Sequence, residues 1–412
     1  MTQTALPPFD FESAYREGNP YPSYARYRQH DPVHVVEHER ETGDPAREVF
    51  LFRHADCLAW LRDNRLGREH GGSNGEDAVQ RSPGVFGEMA GMFMLFRDPP
   101  VHTRLRGVAN MAFTPRQVER MRPQIEAIAF DLANDLRATG DGADLIGHFA
   151  FPLPMQVIAG MLGIPKEDFR QFRRVAGDIA AAIDVPVEGL HDFIARVDES
   201  TSELIAYLRQ LLARRRPDPQ DDLLSQLIHA EADQGKLNED ELVATIILLI
   251  VAGHETTVNL IGNGTLALLR NPDQWQALVA EPSLARNAAE ELLRYDAPVQ
   301  FTGRVAKEPV EIGEHTIQPG SWVNFMLGSA NRDETVFADP DRLDIRRDVG
   351  RVMSFGMGIH FCLGAPLARM EGEIAFATLA REFPELSLVT ETPPWRPGAV
   401  FHGLQELPLR LG

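Results

Sequence analysis

Cysteine is scarce in this chain, with two residues, Cys57 and Cys362, among 412. So distant a pair does not make a disulfide scaffold, and a reducing compartment is the simpler setting. Basic charge is in deficit too: 41 Lys and Arg stand against 60 Asp and Glu, for a formal net charge of −19. Nucleic acid and anionic membranes both require a positive face, so broad binding to either is disfavoured. No apolar run reaches the roughly 20 residues that span a bilayer. The longest, Leu242 to Gly253, is interrupted by Thr245, and Met1 to Arg16 carries acids where a signal peptide is apolar. The expectation is a soluble, cytoplasmic protein with ample chain to bury a core. No internal repeat is present. No G-x-G-x-x-G follows a strand and no cysteine cluster occurs, which leaves no built-in nucleotide, flavin or iron–sulfur module. Zinc is disfavoured because neither cysteine has partners at metal-ligand spacing.

What is present reads as helix after helix. Phe113 to Ala138 opens with Thr114 and Pro115, an N-cap followed by proline at the first helical position. Asp198 to Arg216 places Leu204, Leu208, Leu211 and Leu212 at helical spacing. Strand patterns sit at Glu48 to Phe52 and Val310 to Leu327, the latter with turns at Gly313-Glu314 and Pro319-Gly320. Gly71 to Glu76 reads as a surface loop. Met89 to Phe96, rich in Met and Phe, suits either core or an adaptable binding wall.

One helix is more informative than the rest. Asn238 caps it, Glu241 completes a capping box, and Pro272 ends it after Asn271. From Leu242 to Val251 it is apolar on nearly every side, so it should be buried all round. Ala252-Gly253-His254-Glu255-Thr256-Thr257 then breaks the pattern. Glycine inside a helix costs about 1 kcal/mol relative to alanine, and a buried carboxylate costs more unless paired. Two readings stand at this point: something approaches the backbone there, or Gly253 permits close packing and Glu255 has a buried partner.

A second constellation runs from Phe355 to Gly364, with three glycines and Cys362 ahead of an apolar helix from Ala365 to Phe383. A helix N-terminus stabilises a thiolate, and glycines let backbone pass close to a flat ligand. A lone cysteine is otherwise a small buried hydrophobe.

The segment Phe355-x-x-Gly358-x-His360-x-Cys362-x-Gly364 resembles the haem-ligand loop of the cytochrome P450 superfamily at every fixed position. Ala252 to Thr257 is similar to that family's (Ala/Gly)-Gly-x-(Asp/Glu)-Thr-Thr motif. Glu291 and Arg294 match its Glu-x-x-Arg pair, and Arg342 in Pro340-Asp341-Arg342-Leu343 resembles the arginine completing a buried Glu–Arg–Arg network. The matches occur in the family's order, and similarity extends from Asn19-Pro20-Tyr21 to Leu404–Pro408.

The resemblance implies a mainly α fold with a smaller β region, a triangular helical prism holding haem b between the long distal helix and the cysteine-loop helix. It implies one catalytic unit over 1–412, β-rich at about 20–60 and 300–345 plus C-terminal strands, helical at 65–300 and 365–384. Cys362 becomes the proximal thiolate, which favours O–O cleavage, and Cys57 a structural residue. His102, Arg106, Arg304 and His360 face the haem propionates. Phe355, Gly356, Gly364, Ala252 and Gly253 border the cofactor, with Gly253 opening a kink for dioxygen. Thr256 hydrogen-bonds the dioxygen and Glu255 relays protons from solvent. Glu291, Arg294 and Arg342 hold the cysteine loop.

The implied pocket comprises Met92, Phe93, Leu248, Val251, Val299, Gln300, Phe301, Val400 and Phe401. Gln300 either orients a substrate carbonyl or hydroxyl or faces solvent. An apolar lining favours a fatty acid, a polyketide or macrolide, or a terpenoid, as does similarity to the bacterial branch with macrolide hydroxylases and fatty-acid oxidisers. The implied reaction is hydroxylation with O2 as co-substrate. Electrons come from a ferredoxin and its NAD(P)H-dependent reductase, docking on Arg104, Arg116 and Arg369. A peroxygenase using H2O2 and a non-catalytic haem sensor are the alternative readings.

Overall fold

A computed structural model describes residues 6–15, 18–39, 45–69, 84–111, 113–165, 168–184, 190–232 and 237–412. The Gly71 to Glu76 loop expectation lies outside them. The helices that position the site are α1 (Val101–Ala109), α2 (Pro115–Thr139), α3 (Pro152–Met161) and α4 (Phe169–Ile183). They are followed by α5 (Leu190–Arg215), α6 (Glu239–Leu269), α7 (Ala285–Tyr295) and α8 (Ala365–Glu382). Helix α2 starts where the cap predicts, with the Thr114 hydroxyl accepting from the Gln117 N–H at 3.4 Å. Helix α5 begins eight residues before the expected Asp198 and ends beside the expected Arg216.

Helix α6 carries the full capping box. The Glu241 N–H donates to Asn238 Oδ1 at 2.8 Å, and the Asn238 N–H donates to Glu241 Oε2 at 3.0 Å. By length and composition α6 is apolar enough to cross a membrane, yet 83% of its most apolar stretch is buried in the fold. It packs against α3, α4, α7 and α8. Its all-round hydrophobicity is therefore that of a core helix.

The strands are β1 (Val33–Glu39), β2 (Pro45–Leu51), β3 (Leu66–Gly67), β4 (Ala143–Asp144) and β5 (Thr302–Ala306). The rest are β6 (Val310–Ile312), β7 (His315–Ile317), β8 (Trp322–Phe325), β9 (Ser387–Leu388) and β10 (Pro408–Arg410). One sheet has the order β1-β2-β8-β5-β3, so residues far apart in the chain share it. The expected strand at Val310 to Leu327 divides into β6, β7 and β8. Gly313 (φ +61°) and Gly320 (φ +80°) take left-handed turns between them. The stretch 20–60 is less β-rich than expected, because helices Tyr21–His30 and His54–Trp60 flank β1 and β2. The C-terminal strands join β4 in a separate sheet, β4-β10-β9.

Helix α7 supplies Glu291 and Arg294, both without exposed side-chain surface. Arg294 Nε and Nη2 donate to the two Glu291 oxygens at 2.7 and 2.9 Å, and Nη1 donates to the carbonyls of Asn331 and Pro340. The third arginine is not Arg342, whose side chain is exposed and whose carbonyl alone joins the network. Arg347 takes that place, with Nε donating to Glu291 Oε1 at 3.1 Å. The turn carrying Arg342 offers carbonyls inward, so its side chain faces outward. The network continues through Asn331, whose Oδ1 accepts from the Met353 N–H at 2.6 Å and whose Nδ2 donates to Ser354 Oγ. Met353 and Ser354 lead directly into the cysteine loop.

Loss of a hydrogen bond to a charged buried group costs about 1.5–3 kcal/mol, which is the expected effect of Arg347→Ala. Arg342→Ala should stay within about 0.5 kcal/mol of wild type, as for an exposed side chain. Urea unfolding of the two variants distinguishes them, and a larger loss for Arg342→Ala would remove Arg347 from the network.

Candidate active site

The loop from Phe355 to Gly364 closes on itself. The Cys362 N–H donates to the Phe355 carbonyl at 2.9 Å and the Gly356 N–H to the Met353 carbonyl at 2.8 Å. Gly358 sits at φ +74°, where a side chain is strained, and an added Cβ would lie 2.4 Å from the Leu61 carbonyl oxygen. Cys362 is thereby placed just ahead of α8 and remains accessible. Burial nevertheless pushes its thiol pKa up, while the Gly364 N–H, Arg106, Arg369 and the Ala365 N–H pull it down. An accessible sulfur in desolvating surroundings faces an opening inside the fold. Cys57 differs: it is wholly buried, donates to the Leu51 carbonyl at 3.4 Å, and has its pKa raised chiefly by burial.

Beside the loop, cationic side chains converge. Arg304 is almost fully buried and donates to the Gly303 carbonyl at 2.7 Å and to Thr302 Oγ1 at 3.4 Å. Arg68 Nη2 donates to the same Thr302 hydroxyl at 2.7 Å. The antiparallel pairs Leu66↔Ala306 and Gly67↔Val305 set Arg68 opposite Arg304. The rings of His102 and His360 lie 4.3 Å apart, and each has a buried Nε2 without a hydrogen-bond partner. Arg106 Nη2 donates to the Phe361 carbonyl at 2.6 Å. Asp98 is occupied by the N–H groups of Arg68 and Glu69 and by Lys307.

Burial, then the charge of Arg68, holds Arg304 well below its ordinary pKa. Burial, then Arg304 and Arg68, pushes His360 down, and burial with Arg106 lowers His102. So many buried donors on one side call for an anion. A flat dianion such as haem, with its two carboxylates here and its iron toward Cys362, fits the residues present. No motif marks Arg68; only the pairing of β3 with β5 brings it in.

The other wall is α6. From Leu242 to Val251 every residue is buried, but Ala252 is exposed and Gly253 and Thr256 are half-exposed. An added Cβ at Gly253 would meet only Ile158 Cδ1, at 3.9 Å. Gly253 therefore leaves space and does not serve close packing. The helix is continuous across it, so missing side-chain volume opens this face and the expected kink is not a break. Thr256 Oγ1 donates to the Ala252 carbonyl at 3.1 Å.

Glu255 leaves the open face, and its buried carboxylate pairs with Arg396 Nη1. Burial raises its pKa, with Arg396 acting in opposition. Arg396, which sequence reasoning missed, also lines a cleft of about 400 Å³ with Asp144, Arg174 and Gln405. Thr257 donates to Glu371 Oε2 of α8 at 3.3 Å.

The expected pocket residues fall into separate groups. Phe93, Leu248 and Val251 are buried in one apolar cluster, with Met92 packed against it. Val299 pairs with Phe401 through a β-bridge. Phe301 stacks on Phe11 at 4.6 Å, and Val400 packs on the same N-terminal cluster. Gln300 is neither a substrate contact nor solvent-exposed. It is completely buried, and its Nε2 donates to the Ala297 carbonyl at 2.7 Å and to Tyr21 Oη at 3.3 Å. Two of the expected docking arginines are also engaged. Arg104 grips Glu241 at 2.8 and 2.6 Å, and Arg369 pairs with Glu290 and lies 4.4 Å over the Phe355 ring. Arg116 is exposed.

Two outcomes follow from these environments. Glu371 is fully desolvated and its pKa is pushed up to about 8, against about 4.3 in an unfolded chain. The folded state then holds a proton that the unfolded state releases. Stability falls as pH rises from about 5 to about 8, and Glu371→Gln removes that part of the slope. Melting temperatures of both proteins across this range check it, and parallel curves would contradict a neutral Glu371. Separately, Cys362→Ser should abolish a thiolate-type haem spectrum and Cys57→Ser preserve it; the reverse result would exchange their roles.

The cytochrome P450 family model matches residues 68–399. The polyketide biosynthesis cytochrome P450 PksS of Bacillus subtilis is 40% identical over 397 residues, covering 95% of this chain and 96% of that protein. The 6-deoxyerythronolide B hydroxylase of Saccharopolyspora erythraea is 41% identical over 424 residues, covering 99% of each. Among solved structures, P450BioI in complex with an acyl carrier protein bearing hexadec-9Z-enoic acid superposes with a TM-score of 0.86. It is 35% identical and covers 97% of this chain and 99% of its own. With these relatives, the cysteine loop and the cationic cradle together, the chain belongs to the cytochrome P450 family and is a haem-dependent monooxygenase.

Proposed function

We propose that this enzyme hydroxylates an apolar fatty-acyl or polyketide chain in the cytoplasm, with electrons from a ferredoxin and its NAD(P)H-dependent reductase. The observation that carries the reading is the open face of α6 at Ala252, Gly253 and Thr256, which continues the buried apolar row containing Leu248 and Val251. An apolar chain is what such a surface accepts. Relatives named for polyketide biosynthesis and for hydroxylation of 6-deoxyerythronolide B, and a neighbour in complex with an acyl carrier protein bearing a fatty acid, support the same class.

Haem, when bound, supplies the iron on which dioxygen is reduced and its O–O bond cleaved. Cys362 would hold that iron through its thiolate, and Arg68, Arg106, Arg304, His102 and His360 would hold the carboxylates. Phe355 opens the loop with Arg369 across its ring, and its carbonyl accepts the Cys362 N–H. Gly356 and Gly364 have no atom within 4 Å of an added Cβ, so backbone there lies next to open space, as a flat group requires. Thr256 presents its hydroxyl on the open face as the last donor to dioxygen. Glu255 moves protons toward it from the cleft lined by Arg396. Inserting one oxygen atom and releasing the other as water takes two electrons and two protons, and so does peroxide release, so the outcome turns on whether the Thr256 hydroxyl delivers the second proton to the oxygen that leaves as water.

The supporting experiment is an absorption titration of the ferric protein with fatty acids, their acyl-carrier thioesters, macrolactones and terpenoids. A low-to-high-spin shift with acyl or macrolactone ligands supports the substrate class, and shifts confined to terpenoids would replace it. Thr256→Ala should keep consuming NAD(P)H while product per electron pair falls by about tenfold or more, with peroxide in its place. Undiminished coupling would show that Thr256 is not the donor, and full turnover on peroxide alone would remove the ferredoxin.

A further inference from the structure

The segment Arg396 to His402 crosses between α4, α6 and the chain entering β5, and one carboxylate holds it to α4. Asp184 ends α4 in an extended conformation. Its Oδ1 accepts the N–H groups of Ala399 and Val400, each at 2.9 Å, and its Oδ2 accepts that of Phe401 at 3.3 Å. Gly398 sits at φ +155°, and an added Cβ would fall 2.1 Å from Asp184 Oδ2. The backbone is therefore wrapped around the carboxylate, with glycine where the oxygen comes closest. An acid at a helix C-terminus opposes the helix dipole. Helix formation does not explain Asp184; three backbone donors do.

The far side of the segment is tied as firmly. The Gln300 N–H donates to the Val400 carbonyl and the His402 N–H to the Pro298 carbonyl, both at 2.9 Å, and Phe401 pairs with Val299. Val400 and Phe401 thus hang between α4 and the strand that carries Arg304. The lowered acidity of Glu255, to which the Asp184 charge contributes, is consistent with this compact arrangement.

We propose that Asp184 is a positioning residue for substrate selection, through which α4 fixes the pocket wall formed by Val400 and Phe401. The proposal rests on the expectation that Val400 and Phe401, both half-exposed beside the Asp184 contact, wall the pocket. Movement of α4 would carry the wall with it, so ligand size and helix position become linked.

The test uses the haem-loaded protein and two probes that bind from the open side, imidazole and 4-phenylimidazole, followed by the Soret shift. Asp184→Ala and Gly398→Ala disturb the contact from opposite sides. Each should weaken 4-phenylimidazole by about tenfold while imidazole stays within about twofold. Asp184→Asn keeps an oxygen acceptor and should show a smaller shift in the same direction, and it serves if the alanine variant does not load haem. Phe401→Ala is the control for the wall. If it alters the ratio while the Asp184 and Gly398 variants do not, the positioning role fails and the wall stands. If no variant alters the ratio, the wall reading fails and the proposal falls with it.

Discussion

Arg294, a guanidinium with no exposed surface, is the constraint on which the cysteine side of the molecule depends. A buried charge is tolerated only when its donors are met by carboxylate and carbonyl oxygens in good geometry. Glu291 answers two nitrogens, and the carbonyls of Asn331 and Pro340 answer the third. Asn331 then passes the alignment to Met353 and Ser354 by side-chain hydrogen bonds, and Ser354 Oγ donates to the Leu293 carbonyl. The loop that presents Cys362 is therefore registered on α7 and not merely on α8, which follows it.

The cradle of Arg68, Arg106, Arg304, His102 and His360 is balanced in the opposite sense. Where Arg294 has its counter-charge built in, burial and neighbouring cations lower the proton affinity of Arg304, His102 and His360. The haem carboxylates proposed to lie here would complete them, which would couple the fold of this region to the cofactor. Facing it, α6 keeps its hydrogen-bonded frame but omits side-chain volume at Gly253. One helix thus serves as core along most of its length and as cavity wall over a single turn.

Most of the site was readable in the sequence where one short segment contains all the partners. The capping box of α6, the cysteine loop ahead of α8 and the Glu291–Arg294 pair each lie within a few residues, so local spacing sets their geometry. The errors lie where distant segments meet. Arg342 was placed in the buried network, yet its turn faces its carbonyl inward and Arg347 reaches Glu291. Gln300 looked like the polar member of an apolar pocket, but its amide is bound to Ala297 and Tyr21. Arg104 and Arg369, read as part of a docking patch, are also paired with Glu241 and Glu290, which only the packing of distant segments brings against them.

The sequence by itself determined the family, the helical class and the residues that short-range geometry holds, because spacing along one helix or loop leaves little choice of arrangement. Only the tertiary structure decided that Arg68 joins Arg304, that Arg396 meets Glu255, and that Asp184 captures the strap at Ala399. Those contacts join residues whose separation in the chain carries no period or motif. Their partners are set by sheet register and helix packing, which depend on the burial of the whole core.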